Sequence, residues 1–134
     1  MLNRSKFIAS MGLALSLPAA ACAAERTPEQ VATHHMAAFA TKSLDNVVSD
    51  YADDALFVTA DGVLQGKAAI RNFWSPRIDG PPLDSKILPA EGSVVSAPWT
   101  LGAGTPNAIS GKDVFVIRNG KIQIQVVFMD PPKQ

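Results

Sequence analysis

The stretch AISGKDVFVIRNGKIQIQVVFM, Ala108 to Met129, decides the fold. It holds two long runs rich in β-branched residues, parted only by Asn119-Gly120. An Asn-Gly pair between such runs signals a hairpin, because a type I′ turn needs positive φ at both central positions. The expected strands are Ala108 to Arg118 and Lys121 to Met129. Earlier strands are predicted at about Asp84 to Glu91 and Ser93 to Leu101, with Gly102 to Pro106 breaking the middle pair. Before them, helical patterns dominate. Thr27-Pro28-Glu29-Gln30 joins a capping Thr, a first-turn Pro and a capping-box Gln, and predicts a helix to about Thr41. Ser43 caps a second helix, in which Leu44, Val47, Val48 and Tyr51 recur at i, i+3, i+4 and i+7, and Ala52-Asp53-Asp54 ends it. Ala55 to Thr59 and Val63 to Gln65 form a short strand pair about Asp61-Gly62. Gly66 opens a third helix, Lys67 to Trp74, which buries Ile70, Phe73 and Trp74 and stops at Pro76. Helices followed by antiparallel strands predict an α+β domain, with the helices on one face of a curved sheet.

The chain has 134 residues, enough for one domain, and its 12 basic and 12 acidic side chains give a formal net charge of zero. No basic stripe exists, which argues against a nucleic-acid partner. Met1 to Ala23 has the form of a secretory signal peptide: Arg4 and Lys6, an apolar run from Phe7 to Leu17, Pro18, then small residues. Ala21-Cys22-Ala23 fits the cleavage rule and leaves a mature domain of residues 24–134. Cleavage before Cys22 is the alternative, and would make that cysteine a lipidated first residue. Cys22 is the only cysteine, so no internal disulfide forms. Periplasmic or secreted export is expected, with membrane attachment only through a lipidated Cys22.

Several segments together resemble the NTF2-like superfamily, in its SnoaL-like and ketosteroid-isomerase-like branch. They are Tyr51-Ala52-Asp53-Asp54-Ala55, the Asp61-Gly62 turn, Gly66-Lys67-Ala68-Ala69-Ile70-Arg71-Asn72-Phe73-Trp74 and Asn119-Gly120-Lys121-Ile122. The resemblance implies a cone, with three N-terminal helices packed on a strongly curved, mostly antiparallel sheet around an apolar pocket. It further implies that His35 stands where the isomerases carry a hydrogen-bonding Tyr, and that Asp113 stands at their protonated carboxylic acid. Thr59 falls at their Asp base. Val127 falls at the acid-base Asp of the cyclases. Neither Thr nor Val can serve as a base near neutral pH.

On the helix, His35 points inward and His34 to water. A His35–Asp113 pair is therefore read in two ways. Asp113 orients His35 as a general acid-base, with Thr59 and Tyr51 as donors, or the pair only satisfies itself or Asp113 faces water. Strand alternation sets Asp113 with Phe115 and Ile117 on one apolar face, where a carboxylate needs a partner. Asp53 and Asp54 read as helix-end and turn residues. His34 and His35 cannot share a metal on one helix, so no metal site and no cofactor are expected. Tyr51, Phe57, Thr59, Phe73, Trp74, Trp99, Phe115 and Val127 are expected to line the pocket. Ile122, Ile124, Val126 and Phe128 alternate with Gln123 and Gln125, so one of these faces lies outside and suggests a homodimer surface. Two functions stay open: a pocket that binds a small apolar ligand without catalysis, and an isomerase-, cyclase- or dehydratase-type enzyme acting on a small apolar carbonyl compound.

Overall fold

A computed structural model describes residues 24–134; the expected export segment, Met1 to Ala23, lies outside the described residues. Helix α1 spans Pro28–Ala38 and begins at the capping box read from the sequence. The Gln30 N–H donates to Thr27 Oγ1 at 3.2 Å, and the Thr27 N–H donates to Gln30 Oε1 at 2.9 Å. A turn of 3-10 helix follows at Phe39–Thr41, then α2 at Leu44–Val48 with Ser43 as its cap. The remaining elements are β1 (Tyr51–Thr59), β2 (Gly62–Gln65), α3 (Lys67–Trp74), β3 (Leu83–Ser85), β4 (Val94–Leu101), β5 (Ile109–Arg118) and β6 (Lys121–Met129). Two helices thus precede the sheet, and the third falls between β2 and β3. The six strands form one sheet in the order β2-β1-β6-β5-β4-β3. Every neighbouring pair is antiparallel except β1 with β6, which is parallel. This is an α+β fold with a mostly antiparallel sheet.

One core joins the helices to one face of the sheet. Val31, Ala32, Met36, Val48 and Ile70 pack against Phe57, Val95, Ala97, Phe115 and Ile122. The hairpin forms as expected, with Asn119 at φ 52° and Gly120 at φ 67°.

Three local expectations are corrected. Tyr51 does not close α2; it is the first residue of β1 and fully buried. Asp53 and Asp54 consequently lie within β1, exposed, rather than at a helix end. The strand expected from Asp84 to Glu91 is cut to three residues, although Lys86 and Leu88 still donate to the carbonyls of Pro98 and Ser96. The next N–H in that phase, of Ala90, donates instead to Glu29 Oε1 at 3.0 Å.

The register of β6 shifts beside the hairpin. Ile117 pairs with Ile122, but Val116 pairs with Ile124, leaving Gln123 unmatched. Such a bulge reverses the phase of alternation beyond it. Ile122 and Gln125 are therefore both buried, while Phe128 is exposed on the other face.

Gly111 pairs across the sheet with Trp99, whose ring lies over it. A Cβ at residue 111 would meet Trp99 Cζ2 at 2.6 Å and the Phe128 carbonyl oxygen closer still. Gly111→Ala should destabilise the fold by about 1–3 kcal/mol through overpacking. Urea unfolding followed by Trp fluorescence checks this, and an unchanged midpoint would show that the indole does not need the gap.

Candidate functional site

A cavity of about 710 Å³ opens between the helical layer and the sheet. Phe57 and Thr59 from β1, Trp99 from β4, Asp113 from β5 and Val127 from β6 line its sheet side. Met36 and Phe39 from the first helical segment, with Phe73 and Trp74 from α3, line the other. Lys42, Asp61 and Arg77 also line it and are exposed. Lys42 donates to the Gly80 carbonyl at 2.6 Å, and the Arg77 guanidinium lies 4.0 Å from the Phe73 ring centroid. Tyr51 and Phe115, also expected to line the pocket, lie behind its wall; neither reaches the cavity, and both are fully buried. Val127 and Asp113 are direct cross-strand partners, which sets the register of β6 against β5.

The expected His35–Asp113 pair is not formed, because other groups take both partners. His35 is fully buried, with Nδ1 3.1 Å from the Val47 carbonyl and Nε2 3.4 Å from the Tyr51 hydroxyl. A carbonyl can only accept, so Nδ1 carries the proton. Phe39, Tyr51 and Phe115 pack edge-on about the ring. Burial pushes the imidazole down to about 4, against the opposing pull of Asp50. His35 does not line the cavity, so its nitrogens do not face a bound molecule.

Asp113 does line the cavity. Trp99 Nε1 donates to its Oδ1 at 2.9 Å and Gln125 Nε2 to its Oδ2 at 2.8 Å. Burial pushes its carboxyl up to about 6, although both donors favour the ionised form. Gln125 continues inward, accepting from the Tyr51 hydroxyl at 2.5 Å, and that hydroxyl accepts from Trp74 Nε1 at 3.2 Å. Burial likewise pushes the Tyr51 phenol upward, so it stays neutral. The arrangement offers a bound molecule one buried carboxyl group in a mostly apolar wall.

Sequence reasoning missed Gln125 and Asp50. Gln125 was assigned by simple alternation, which the β6 bulge overturns. His34, expected to face water, is half-exposed and sits 2.6 Å from Oδ2 of Asp50. Asp50 is itself buried and also pairs with Arg26 at 2.9 Å. A buried acid held by a surface arginine and a surface histidine has no local sequence pattern. Among the described residues, no three His, Cys, Asp or Glu side chains gather as a metal site requires, and no helix is long and apolar enough to cross a membrane.

With fold and cavity in view, comparisons with known proteins fall in line. The model of the SnoaL-like domain family matches residues 32–124, and the chain belongs to that family. A search of curated protein sequences finds no match. Solved structures share the fold at low identity. An NTF-2 like protein of unknown function from Burkholderia xenovorans LB400 is 15% identical with a TM-score of 0.70, over 80% of this chain and 85% of that one. One from Cytophaga hutchinsonii ATCC 33406 is 15% identical with a TM-score of 0.62, over 80% and 93%. SalBIII, an epoxide hydrolase/cyclase-like enzyme described in pyran ring formation in the polyether salinomycin, is 18% identical with a TM-score of 0.66, over 77% and 90%.

The two buried groups act oppositely on stability. Asp113 is raised from 3.8 to about 6, so the folded chain holds the extra proton in that window and loses stability as pH rises through it. His35 is lowered from 6.5 to about 4, so the unfolded chain holds the extra proton and stability rises with pH across that range. In the parent the slopes largely cancel. Asp113→Asn leaves the His35 slope alone, and stability should then fall by on the order of 2–3 kcal/mol from pH 6.5 to 4. Denaturant midpoints across that range check the expectation; a flat profile in the variant would mean that His35 is not buried and neutral.

Proposed function

We propose that this chain is an exported SnoaL-like pocket protein that binds a small, mostly apolar molecule bearing one polar oxygen, held at Asp113. The observation that carries the reading is the open, mostly apolar cavity with one buried carboxyl group, Asp113, in its wall. Apolar clefts with few convergent polar groups and a perturbed pKa are the usual form of small-molecule sites. Export rests on the Met1 to Ala23 segment.

A second reading is an isomerase-, cyclase- or dehydratase-type enzyme acting on an apolar carbonyl compound. Asp113 favours it, since a carboxyl raised to about 6 donates a hydrogen bond more readily than an ordinary one. Proton abstraction also needs a base, and Thr59 and Val127, which line the cavity at the family's base positions, supply none. Binding is the reading better supported.

We further propose that the chain pairs with a second copy through the sheet face away from the helices. Val114, Val116, Ile124 and Val126 lie there half-buried, beside Phe128, which is 52% exposed. Phe128→Asp should shift a dimer to a monomer by light scattering, and a mass unchanged between parent and variant would remove this face from consideration.

An environment-sensitive aminonaphthyl ketone serves as the binding probe. It should bind the parent with a blue-shifted emission. Val127→Phe, which fills the cavity beside Asp113, should weaken binding at least tenfold, and Asp113→Leu should weaken it several-fold. Equal binding by parent and Val127→Phe would sink the pocket reading.

A further inference from the structure

We propose that the ligand of this cavity is an apolar acid, whose carboxylate is held at the mouth by Lys42 and Arg77 while its apolar body fills the chamber. The inference rests on the pocket reading above and deepens it by naming the class of ligand.

Lys42 and Arg77 come from distant points of the chain and meet at one turn. The Gly80 N–H closes that turn by donating to the Arg77 carbonyl at 3.0 Å. Lys42 Nζ reaches it from the other side and donates to the Gly80 carbonyl at 2.6 Å. Arg77 Nη1 donates to the Phe73 carbonyl at 2.5 Å, and its guanidinium lies over the Phe73 ring, which is itself a wall of the cavity. Each anchor uses one hydrogen of a head group that carries several. Both heads are thus positioned at the cavity, exposed, with donors to spare.

Their charge is not met within the protein. Among the described residues neither has a carboxylate within ion-pairing distance. The cations of α3 show the other outcome, since Lys67 pairs with Asp53 and Arg71 with Asp45. Cations are also the scarcer sign. Without Arg4 and Lys6 of the export segment, the chain carries ten basic and twelve acidic side chains. Asp61 is the one exposed acid that lines the cavity, and Asp79, within the turn, does not line it.

Lys42 also occupies a costly backbone position. It ends the 3-10 turn at φ 56°, in the left-handed region where glycine is favoured. The turn needs only its N–H, which donates to the Phe39 carbonyl at 3.2 Å. A lysine there serves the cavity rather than the turn.

Asp113 sets the direction of the ligand. A carboxylate entering head first would meet the acid in the inner wall and be repelled. Head outward, it meets two cations and leaves its body against apolar side chains. A chamber of about 710 Å³ is of the size that takes such a molecule.

The test uses the aminonaphthyl ketone in three forms on the mature chain: the neutral ketone, an analogue whose acyl tail ends in a carboxylate, and the methyl ester of that analogue. At low salt the acid should bind the parent about three- to fivefold more tightly than its ester, the effect of an exposed ion pair. Salt at about 0.5 M should remove the difference and leave the ester unchanged. The double variant Lys42→Gln with Arg77→Gln should bind acid and ester alike, with the ester as in the parent. Lys42→Gly should weaken the acid yet keep or raise the urea midpoint, because it relieves the backbone. An ester that binds the parent as tightly as the acid would overturn the proposal and leave the pocket reading standing. A double variant that weakens acid and ester equally would also overturn it, since only the shape of the cavity would then have changed. Binding of none of the three would remove the pocket reading and this one together.

Discussion

A carboxyl group taken out of water must be supplied with hydrogen-bond donors or with a proton, and Asp113 sits on the inner face of a central strand among Phe115, Ile117, Val95 and Ala97. Much of the sheet's inner detail follows from that requirement. Trp99 reaches Asp113 only because its cross-strand partner is Gly111, which lets the indole lie flat over β5. Gln125 reaches it only because β6 bulges after Ile122. Once Gln125 is committed to Asp113, its other end needs a partner. Tyr51 supplies one, and Tyr51 in turn draws in Trp74 and His35. A single buried acid thus couples β4, β5, β6, β1, α3 and α1 through hydrogen bonds that an apolar core would not need.

The two adjacent histidines show how position on one helix divides the same chemistry. A residue step of one hundred degrees puts His35 in the core and His34 at the margin. His34 finds a buried carboxylate, Asp50, that also holds Arg26, and so ties the start of the described chain to the end of α2. Arg26 further donates to the Gly120 carbonyl in the hairpin turn. His35, enclosed by three aromatic rings, is kept neutral and works only as a fixed donor and acceptor.

Features written in local chemistry were legible in the sequence: the Thr27 capping box, the Ser43 cap, the Asn119-Gly120 turn, the third helix and the shared face of Asp113, Phe115 and Ile117. Each depends on residues within a turn of one another, or on strict alternation. The failures depend on partners far away in the chain. Nothing near Ile122 announces that β5 will skip Gln123, so strict alternation set Ile122 and Gln125 on opposite faces although both are buried. Tyr51 continues a helical period perfectly well, yet it pairs with Ile122 of β6, and that long-range pairing wins. The inward direction of His35 was legible, while that of Asp113 stayed open because both faces of its strand are apolar; their contact was not legible, because helix phase gives direction but not distance. Asp113 and His35 are separated by Gln125 and Tyr51, of which only Tyr51 was expected as a donor there.

What a ligand would feel in this cavity is decided by the same arithmetic. Apolar walls contribute about 25 cal/mol for each Å² they remove from water, with little regard for what the molecule is. Discrimination comes from polar groups that a wrong ligand leaves unmatched. Lys42, Asp61 and Arg77 line the cavity but remain exposed to water, where a missing partner costs little. Asp113 is the buried titratable group of the lining, and its preference therefore outweighs theirs. Ionised, it rejects a carbonyl oxygen and welcomes a hydroxyl. Protonated, it can donate to a carbonyl. The selectivity of the site thus turns on one proton, and the burial of Asp113 helps to set where that proton rests.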